Sequence, residues 1–279
     1  MDPDIDKQLV ARNFGKAAAV YDKHDYLAQE VSARALSRLE FFNISPSLIL
    51  DIGCGTGKPT QALAKHYKNA KIVYADIAVP MLEKARPKLD RWFSKNYFVC
   101  ADLEALGFQK QRFDMVFSNL VLEWCPNLSS ALSEVGRVLK TGGLFLFATL
   151  GPSTLKELRT SFAKTSGTPH INGFLDMHDV GDLLSRNGFE SPVMETEILT
   201  VEYKSVRNLL GDLKLTGSTN ALMHRRRGLL GRGVYAELFT LDEASKSAGI
   251  RVKTTFEVVF GHAWASSSST TGEFPLLRR

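Results

Sequence analysis

The sequence is poor in the residue patterns that mark secreted, metal-bound or membrane-spanning chains. Its 279 residues hold three cysteines, Cys54, Cys100 and Cys125. The count is odd and no CxxC pair occurs, which argues against a disulfide framework or a zinc site and leaves the three as buried or half-buried thiols. The six histidines, His24, His66, His170, His178, His224 and His262, are scattered without an HExxH-like spacing, so no metal is expected. Ser153, in "GPSTL", lacks the surroundings of a nucleophile elbow, which argues against a hydrolase. No apolar run reaches the roughly 18 residues of a membrane span, and "MDPDIDKQLV" is acidic and polar where a secretory leader is basic and then apolar. The expectation is a cytoplasmic protein, acting as a monomer without membrane or nucleic acid.

What is present is ordinary globular composition, 44% hydrophobic and 23% charged, enough for one large domain that can carry a smaller insertion. The net charge of +5 is modest but uneven. "HRRR", His224 to Arg227, lies in one late region with Lys214 and Arg232, either as a solvated face or as a surface for an acidic partner.

Periodicity divides the chain. Leu27, Val31, Ala35 and Leu39 recur every four positions and predict an N-terminal helix. "SLILDIG", "AKIVYAD", "NYFVCAD", "FDMVFSN" and "LFLFATL" read as buried strands, and an apolar stripe predicts a helix over 127–140 that stops at "TGG". Strands alternating with helices predict an α/β fold, a doubly wound and mostly parallel sheet. The expected division is an N-terminal helical cover (1–44), the sheet domain (45–203), a small helical lid insertion (204–250), a strand returning to the sheet (251–265) and a disordered Ser-rich tail (266–279).

The densest signal is "LILDIGCGTGKPTQALA", where glycines stand at 53, 55 and 57. A dinucleotide fingerprint wants a third glycine where Lys58 stands, and no P-loop GK[ST] follows. An unliganded strand-to-helix turn remains possible for the loop alone. The strand ends add weight to a ligand, because Asp51, Asp76, Asp102 and Asn119 all fall at carboxyl ends of consecutive strands, where open parallel sheets bind ligands. Asp76, 21 positions after Gly55, suits a ribose diol. Asp102 suits an exocyclic adenine amine, and Asp51 repels a pyrophosphate but attracts a cationic ammonium or sulfonium.

On these residues, "LDIGCGTG", "YADIAVPML" and "CADLEAL", the chain resembles the class I S-adenosylmethionine-dependent methyltransferases, which have a Rossmann-like fold. The resemblance implies that Asp51, Gly53, Gly55, Gly57, Asp76, Ile77, Met81, Asp102, Leu103 and Asn119 surround S-adenosylmethionine, with S-adenosylhomocysteine as product. A narrower resemblance runs through nearly the whole chain. "NFGKAAAVYDKHDYLAQEV", "SNLVLEWCPNL", "LKELR", "DMHDVGDLLSRNGF", "DLKLTGSTN" and "FEVVFGHAW" are together similar to the malonyl-[acyl carrier protein] O-methyltransferases of biotin synthesis. This implies methylation of the free carboxylate of a malonyl-loaded acyl carrier protein.

The chemistry agrees with the lack of an acid/base constellation. A carboxylate, with a reference pKa near ~4, is already ionised, and its attack on a sulfonium needs alignment and exclusion of water rather than a base. Tyr21 is the expected residue beside the methyl group, with Lys16 a companion. Lys214 or Arg225 is expected to orient the carboxylate, and Arg226, Arg227 and Arg232 to meet the acidic carrier. Three other readings remain: a methyltransferase-fold assembly factor or protein hydroxylase related to respiratory complex I, a nucleic-acid or other small-molecule methyltransferase, and an NAD enzyme. The absence of an Asn-Pro-Pro-Tyr-like motif and the presence of Lys58 speak against the nucleic-acid and NAD readings.

Overall fold

The structure, a computed structural model, describes residues 5–89, 96–165, 169–225 and 251–266, with isolated positions between 226 and 250. Its centre is a seven-stranded sheet built from β1 (Leu48–Ile52), β2 (Lys71–Asp76), β3 (Tyr97–Cys100), β4 (Phe113–Asn119), β5 (Leu139–Leu150), β6 (Phe189–Tyr203) and β7 (Val252–Ala265). The order is β3-β2-β1-β4-β5-β7-β6, with β1 to β5 parallel and β7 antiparallel to both neighbours. The sheet reverses direction of growth beside β1, so the crevice at the carboxyl ends of β1 and β4 is the expected ligand position.

Strand period two sorts the central residues onto two faces. Leu50 and Ile52 pack beneath α5 (Leu128–Val138), in one core with Leu132 and Val135. Ile49 and Tyr74 face α2 (Tyr26–Ser37), α3 (Gln61–His66) and α4 (Val79–Leu89), in a second core with Val31, Leu63 and Leu82. The apolar stripe Val31, Ala35 and Leu39 is buried, as its spacing predicts. Arg34, on the polar side of α2, and Arg38, just past its end, hold Glu197 of the edge strand β6 at 2.5 and 2.7 Å. A third cluster joins α6 (Lys156–Thr165), α8 (Val206–Leu215) and the far ends of β6 and β7 through Leu158, Phe162, Leu209 and Phe256.

Two local expectations need correction. The helix predicted over 127–140 ends at Val138, because Leu139 turns extended and "TGG" is drawn into β5, where Gly142 takes a left-handed φ of 70°. Cys100 is exposed, since it lies on the short strand β3 at the sheet edge; Cys54 and Cys125 are buried. Within 204–250 the described helix is α8; most of 226–250, and the tail from 267, lie outside the described residues. No described helix is long and apolar enough to cross a membrane.

Candidate cofactor site and adjoining chamber

The glycine loop folds back over the end of β2. The N–H groups of Gly53 and Cys54 both donate to the Ala75 carbonyl, at 2.7 and 3.1 Å. Gly55 N–H donates to Asp76 Oδ2 at 2.9 Å and Ala78 N–H to Asp76 Oδ1 at 2.8 Å. Each carboxylate oxygen of Asp76 thus holds one backbone donor and keeps a lone pair for a second. Burial pushes the Asp76 pKa up to about 6, against the lowering by those two N–H groups.

Asp51 sits one strand deeper and is 1% exposed. Neither of its oxygens has a hydrogen-bond partner. The Thr60 hydroxyl donates to the Gly57 carbonyl at 3.3 Å. Burial therefore pushes Asp51 up to about 8, with the charge of Asp76 adding to the shift and Thr60 opposing it. A buried unpaired carboxylate is costly, and a cation nearby relieves the cost.

In front of the loop lies a cavity of about 100 Å³ whose wall includes Gly53, Gly55, Asp76, Ile77, Met81, Asp102, Leu103 and Asn119. Its cover is α1 (Lys7–Ala17), which adds Lys7, Val10 and Phe14. Lys7 donates to both Asp102 oxygens at 2.9 and 2.6 Å and also pairs with Glu104. Asn119 gives its Nδ2 to the Ala28 carbonyl at 3.0 Å and leaves its buried Oδ1 without a partner.

This cavity shares Phe14, Tyr21, Leu120 and Trp124 with a second and larger chamber of about 260 Å³. The second chamber is mainly apolar, with Leu150, Leu155, Phe174 and Leu213 in its wall. Tyr21 therefore stands at the junction. Burial, and then the charges of Asp25, Asp76 and Glu123, raise its pKa far above the ordinary value, so it stays a neutral hydrogen-bond donor. Two buried acids also face the chamber. Glu123 accepts from the Thr149 hydroxyl at 3.1 Å and is pushed by burial up to about 7; Asp25 is raised by burial despite its bond from Gln29.

The cover is clasped onto the loop by Asp22. Its Oδ2 receives Lys88 at 2.5 Å, its Oδ1 receives the Thr56 hydroxyl, and its backbone carbonyl receives Lys58 at 3.0 Å. Burial alone would raise the Asp22 pKa, but the bonds from Lys88 and Thr56 outweigh it and hold it low. Lys58, at the position where a dinucleotide fingerprint has glycine, thus fastens the cover instead of packing a helix close to a pyrophosphate.

A family model described as "Methyltransferase domain" matches residues 50–147, which span the loop and β1 to β5. The malonyl-[acyl-carrier protein] O-methyltransferase of Gallionella capsiferriformans is 42% identical over 93% of this chain and 91% of its own length. The chain belongs to the malonyl-[acyl-carrier protein] O-methyltransferase family. The Nitrosospira multiformis member is 39% identical over 100% of the chain and 95% of its own length. The fold matches that of the YcgJ protein of Bacillus subtilis with a TM-score of 0.60 at 16% identity, covering 85% of this chain and 100% of that one. The chain is an S-adenosylmethionine-dependent carboxyl O-methyltransferase by this membership, which sets aside the assembly-factor reading.

Against that family background the expected site residues divide. Tyr21, Gly53, Gly55, Asp76, Ile77, Met81, Asp102, Leu103 and Asn119 line one cavity. Asp51 and Gly57 are not on its wall; Asp51 lies beneath the loop. Lys16 and Lys214 are exposed and line neither cavity, and Arg225 is turned to Asp6 and the Leu222 carbonyl, at 3.5 and 2.9 Å. Their long side chains face solvent or a local partner, so none is placed to hold a carboxylate in the chamber. Arg226, Arg227 and Arg232 lie outside the described residues. Sequence reasoning missed Lys7, Asp25, Glu123 and Trp124. Glu123 and Trp124 stand inside "SNLVLEWC", and the signal was a charged residue in the short apolar turn that follows β4. Among the described residues no cluster of His, Cys, Asp and Glu could hold a metal ion.

Proposed function

We propose that the chain transfers a methyl group from S-adenosylmethionine to the free carboxylate of malonyl-[acyl carrier protein]. The observation that carries this reading is the meeting of two unlike spaces at Tyr21, a small cavity ringed by strand-end acids and a larger apolar chamber. S-adenosylmethionine supplies an already activated methyl group, with S-adenosylhomocysteine left behind. The first cavity fits it: Asp76 takes the ribose diol on its free lone pairs, Asp102 and Leu103 border the adenine, and the glycine loop and Asn119 flank the amino-acid end. Lys7 must yield or share Asp102 when the exocyclic amine arrives. Asp51 places negative charge beneath the position of the sulfonium.

The chamber takes the malonyl group and its pantetheine arm. An oxygen of the substrate carboxylate forms a bond to the methyl carbon as the carbon–sulfur bond breaks, and the electron pair passes to sulfur. One negative and one positive charge vanish together, so a dry, apolar chamber favours the step. Tyr21, held neutral, donates to the carboxylate and orients it, and no general base is needed. The basic 214–232 region meets an acidic carrier.

Two measurements test this. With labelled S-adenosylmethionine, the purified protein transfers label to malonyl-loaded but not to acetyl-loaded carrier protein; finding no methyl ester in the product refutes the substrate assignment. Asp76→Ala removes both acceptors for the ribose and raises the S-adenosylmethionine dissociation constant by about 10- to 100-fold in calorimetry, as expected for hydrogen bonds to a charged group. An unchanged constant removes the ribose assignment.

A further inference from the structure

A carboxylate substrate faces an electrostatic difficulty in this chamber. Its wall bears Asp25, Glu123 and Asp212, and no described lysine or arginine lines it. His24 is already joined to Asp212 at 2.9 Å. Entry of a further anion among these groups requires a cation close behind the wall.

Arg159 stands there. It lies on α6, next to the chamber residue Leu158, and its backbone N–H donates to the carbonyl of Leu155, also chamber wall, at 2.9 Å. Its Nη2 donates to the Asn172 carbonyl at 3.0 Å, and the guanidinium carbon lies 6.0 Å from the centre of the Phe174 ring. Asn172 and Phe174 are themselves chamber wall. Among the described residues no carboxylate lies within ion-pair distance of Arg159, unlike Arg34, Arg38 and Arg137, which all hold glutamates. Burial lowers the Arg159 pKa, the effect of a guanidinium removed from water with no anion to compensate. Beside it, Asn172 is buried with its Oδ1 unpartnered.

We propose that Arg159 is the residue that binds the malonyl carboxylate, and so sets the preference for an acidic acyl group. This rests on the functional reading above. The planar guanidinium, with one nitrogen spent on Asn172, keeps donors for one carboxylate oxygen and leaves the other free to attack the methyl carbon. Arg159 replaces Lys214 and Arg225 in this role, because Lys214 is exposed and lines no part of the chamber and Arg225 is held by Asp6 and the Leu222 carbonyl.

The test compares binding of malonyl-pantetheine with that of acetyl-pantetheine to the full-length protein saturated with S-adenosylhomocysteine, by calorimetry. The ratio of the two affinities is the readout, since a variant that merely loosens the chamber weakens both ligands alike. Wild type prefers the malonyl form. Arg159→Gln, which retains a donor for the Asn172 carbonyl but carries no charge, loses ~30-fold or more of that preference, in line with removal of one partner from a desolvated charge pair. Arg159→Lys keeps part of it. S-adenosylhomocysteine affinity stays within about twofold in both variants. A wild-type preference that survives in Arg159→Gln overturns the assignment and leaves the functional reading standing. A wild type that does not distinguish the two ligands overturns the functional reading together with the assignment. Equal loss of preference in Arg159→Lys and Arg159→Gln with loss of S-adenosylhomocysteine binding also overturns the assignment, in favour of a structural role on the 169–176 segment.

Discussion

Asp51→Asn raises the melting temperature of the ligand-free protein by roughly 5–10 °C at pH 7 and weakens S-adenosylmethionine binding by about tenfold, or ~1.4 kcal/mol. The stability half of this follows from linkage. Asp51 is buried without a hydrogen-bond partner and its folded pKa is pushed up to about 8. In the unfolded chain the same group titrates near ~3.9. The folded state therefore binds a proton that the unfolded state has released over the whole interval between these values. The stability that Asp51 contributes is complete below the unfolded pKa and is lost as pH rises towards about 8. At pH 7 some three units of that interval have been crossed, which corresponds to a cost of ~4 kcal/mol against folding.

Asparagine has nearly the same shape and carries no proton to lose, so the cost disappears. The pH dependence should separate this from ordinary packing effects. Between pH 5 and 8 the wild-type melting temperature falls more steeply than that of Asp51→Asn, and the two curves converge at the acid end. Scanning calorimetry in the absence of ligand checks it. A melting temperature equal to or below wild type throughout that range refutes the argument. The binding half follows from charge: a sulfonium above the loop pulls the Asp51 proton off and is held by the resulting anion, and asparagine cannot ionise. Together the two effects describe an unpaired acid retained for the ligand at the expense of the empty fold.

How much of this was legible in the sequence depends on whether a residue's role is local. The strand ends are local: apolar runs closed by Asp51, Asp76, Asp102 and Asn119 sit at the carboxyl edge because parallel strands fed by crossover helices have nowhere else to present them. The glycines are local too, since a turn that must cross from strand to helix within a few residues needs left-handed positions. Lys7 and Arg159 were illegible in their roles for the opposite reason. Lys7 acts on Asp102, 95 positions later, and Arg159 touches the chamber through the Asn172 segment. No period or motif on their own elements marks such contacts. In the basic region clustered charge in sequence drew Lys214 and Arg225 into a carboxylate role, whereas neither lines the chamber: Lys214 is exposed and Arg225 is held by Asp6 and the Leu222 carbonyl. Lys58 is the instructive middle case. Its presence correctly spoke against a dinucleotide loop, but its bond to the Asp22 carbonyl required the cover to be in place.

Gly53→Ala abolishes measurable cofactor binding, with a loss of at least ~100-fold in affinity, and Val121→Ala in the same chain restores part of it. Gly53 has a φ of 75°, where an L side chain is strained. A Cβ built there lies 2.1 Å from Val121 Cγ2 and 3.3 Å from Val121 Cβ and Cγ1. Neither side can yield freely. Gly53 is tied by its N–H to the Ala75 carbonyl at 2.7 Å, and Val121 follows Leu120, whose own φ is 56° and whose N–H is fixed to the Ala148 carbonyl at 2.8 Å. Val121 and Gly53 both line the smaller cavity. Relief of the clash must therefore move either the glycine loop, and with it Gly55 and its bond to Asp76, or the segment that carries Asn119. Both movements displace groups proposed to hold the cofactor, and a displacement of about 1 Å is enough to lose most of a positioned contact. Removing the Val121 methyls takes away the 2.1 Å collision but leaves the 3.3 Å contact with Val121 Cβ and the backbone strain of ~1–2 kcal/mol, so the double variant recovers binding to within about tenfold of wild type while its melting temperature stays lower. Calorimetric titration with S-adenosylmethionine on the two single variants and the double variant measures the coupling directly. Binding by Gly53→Ala within threefold of wild type, or a double variant no better than Gly53→Ala, would show that the loop does not depend on the close approach of Gly53 to Val121.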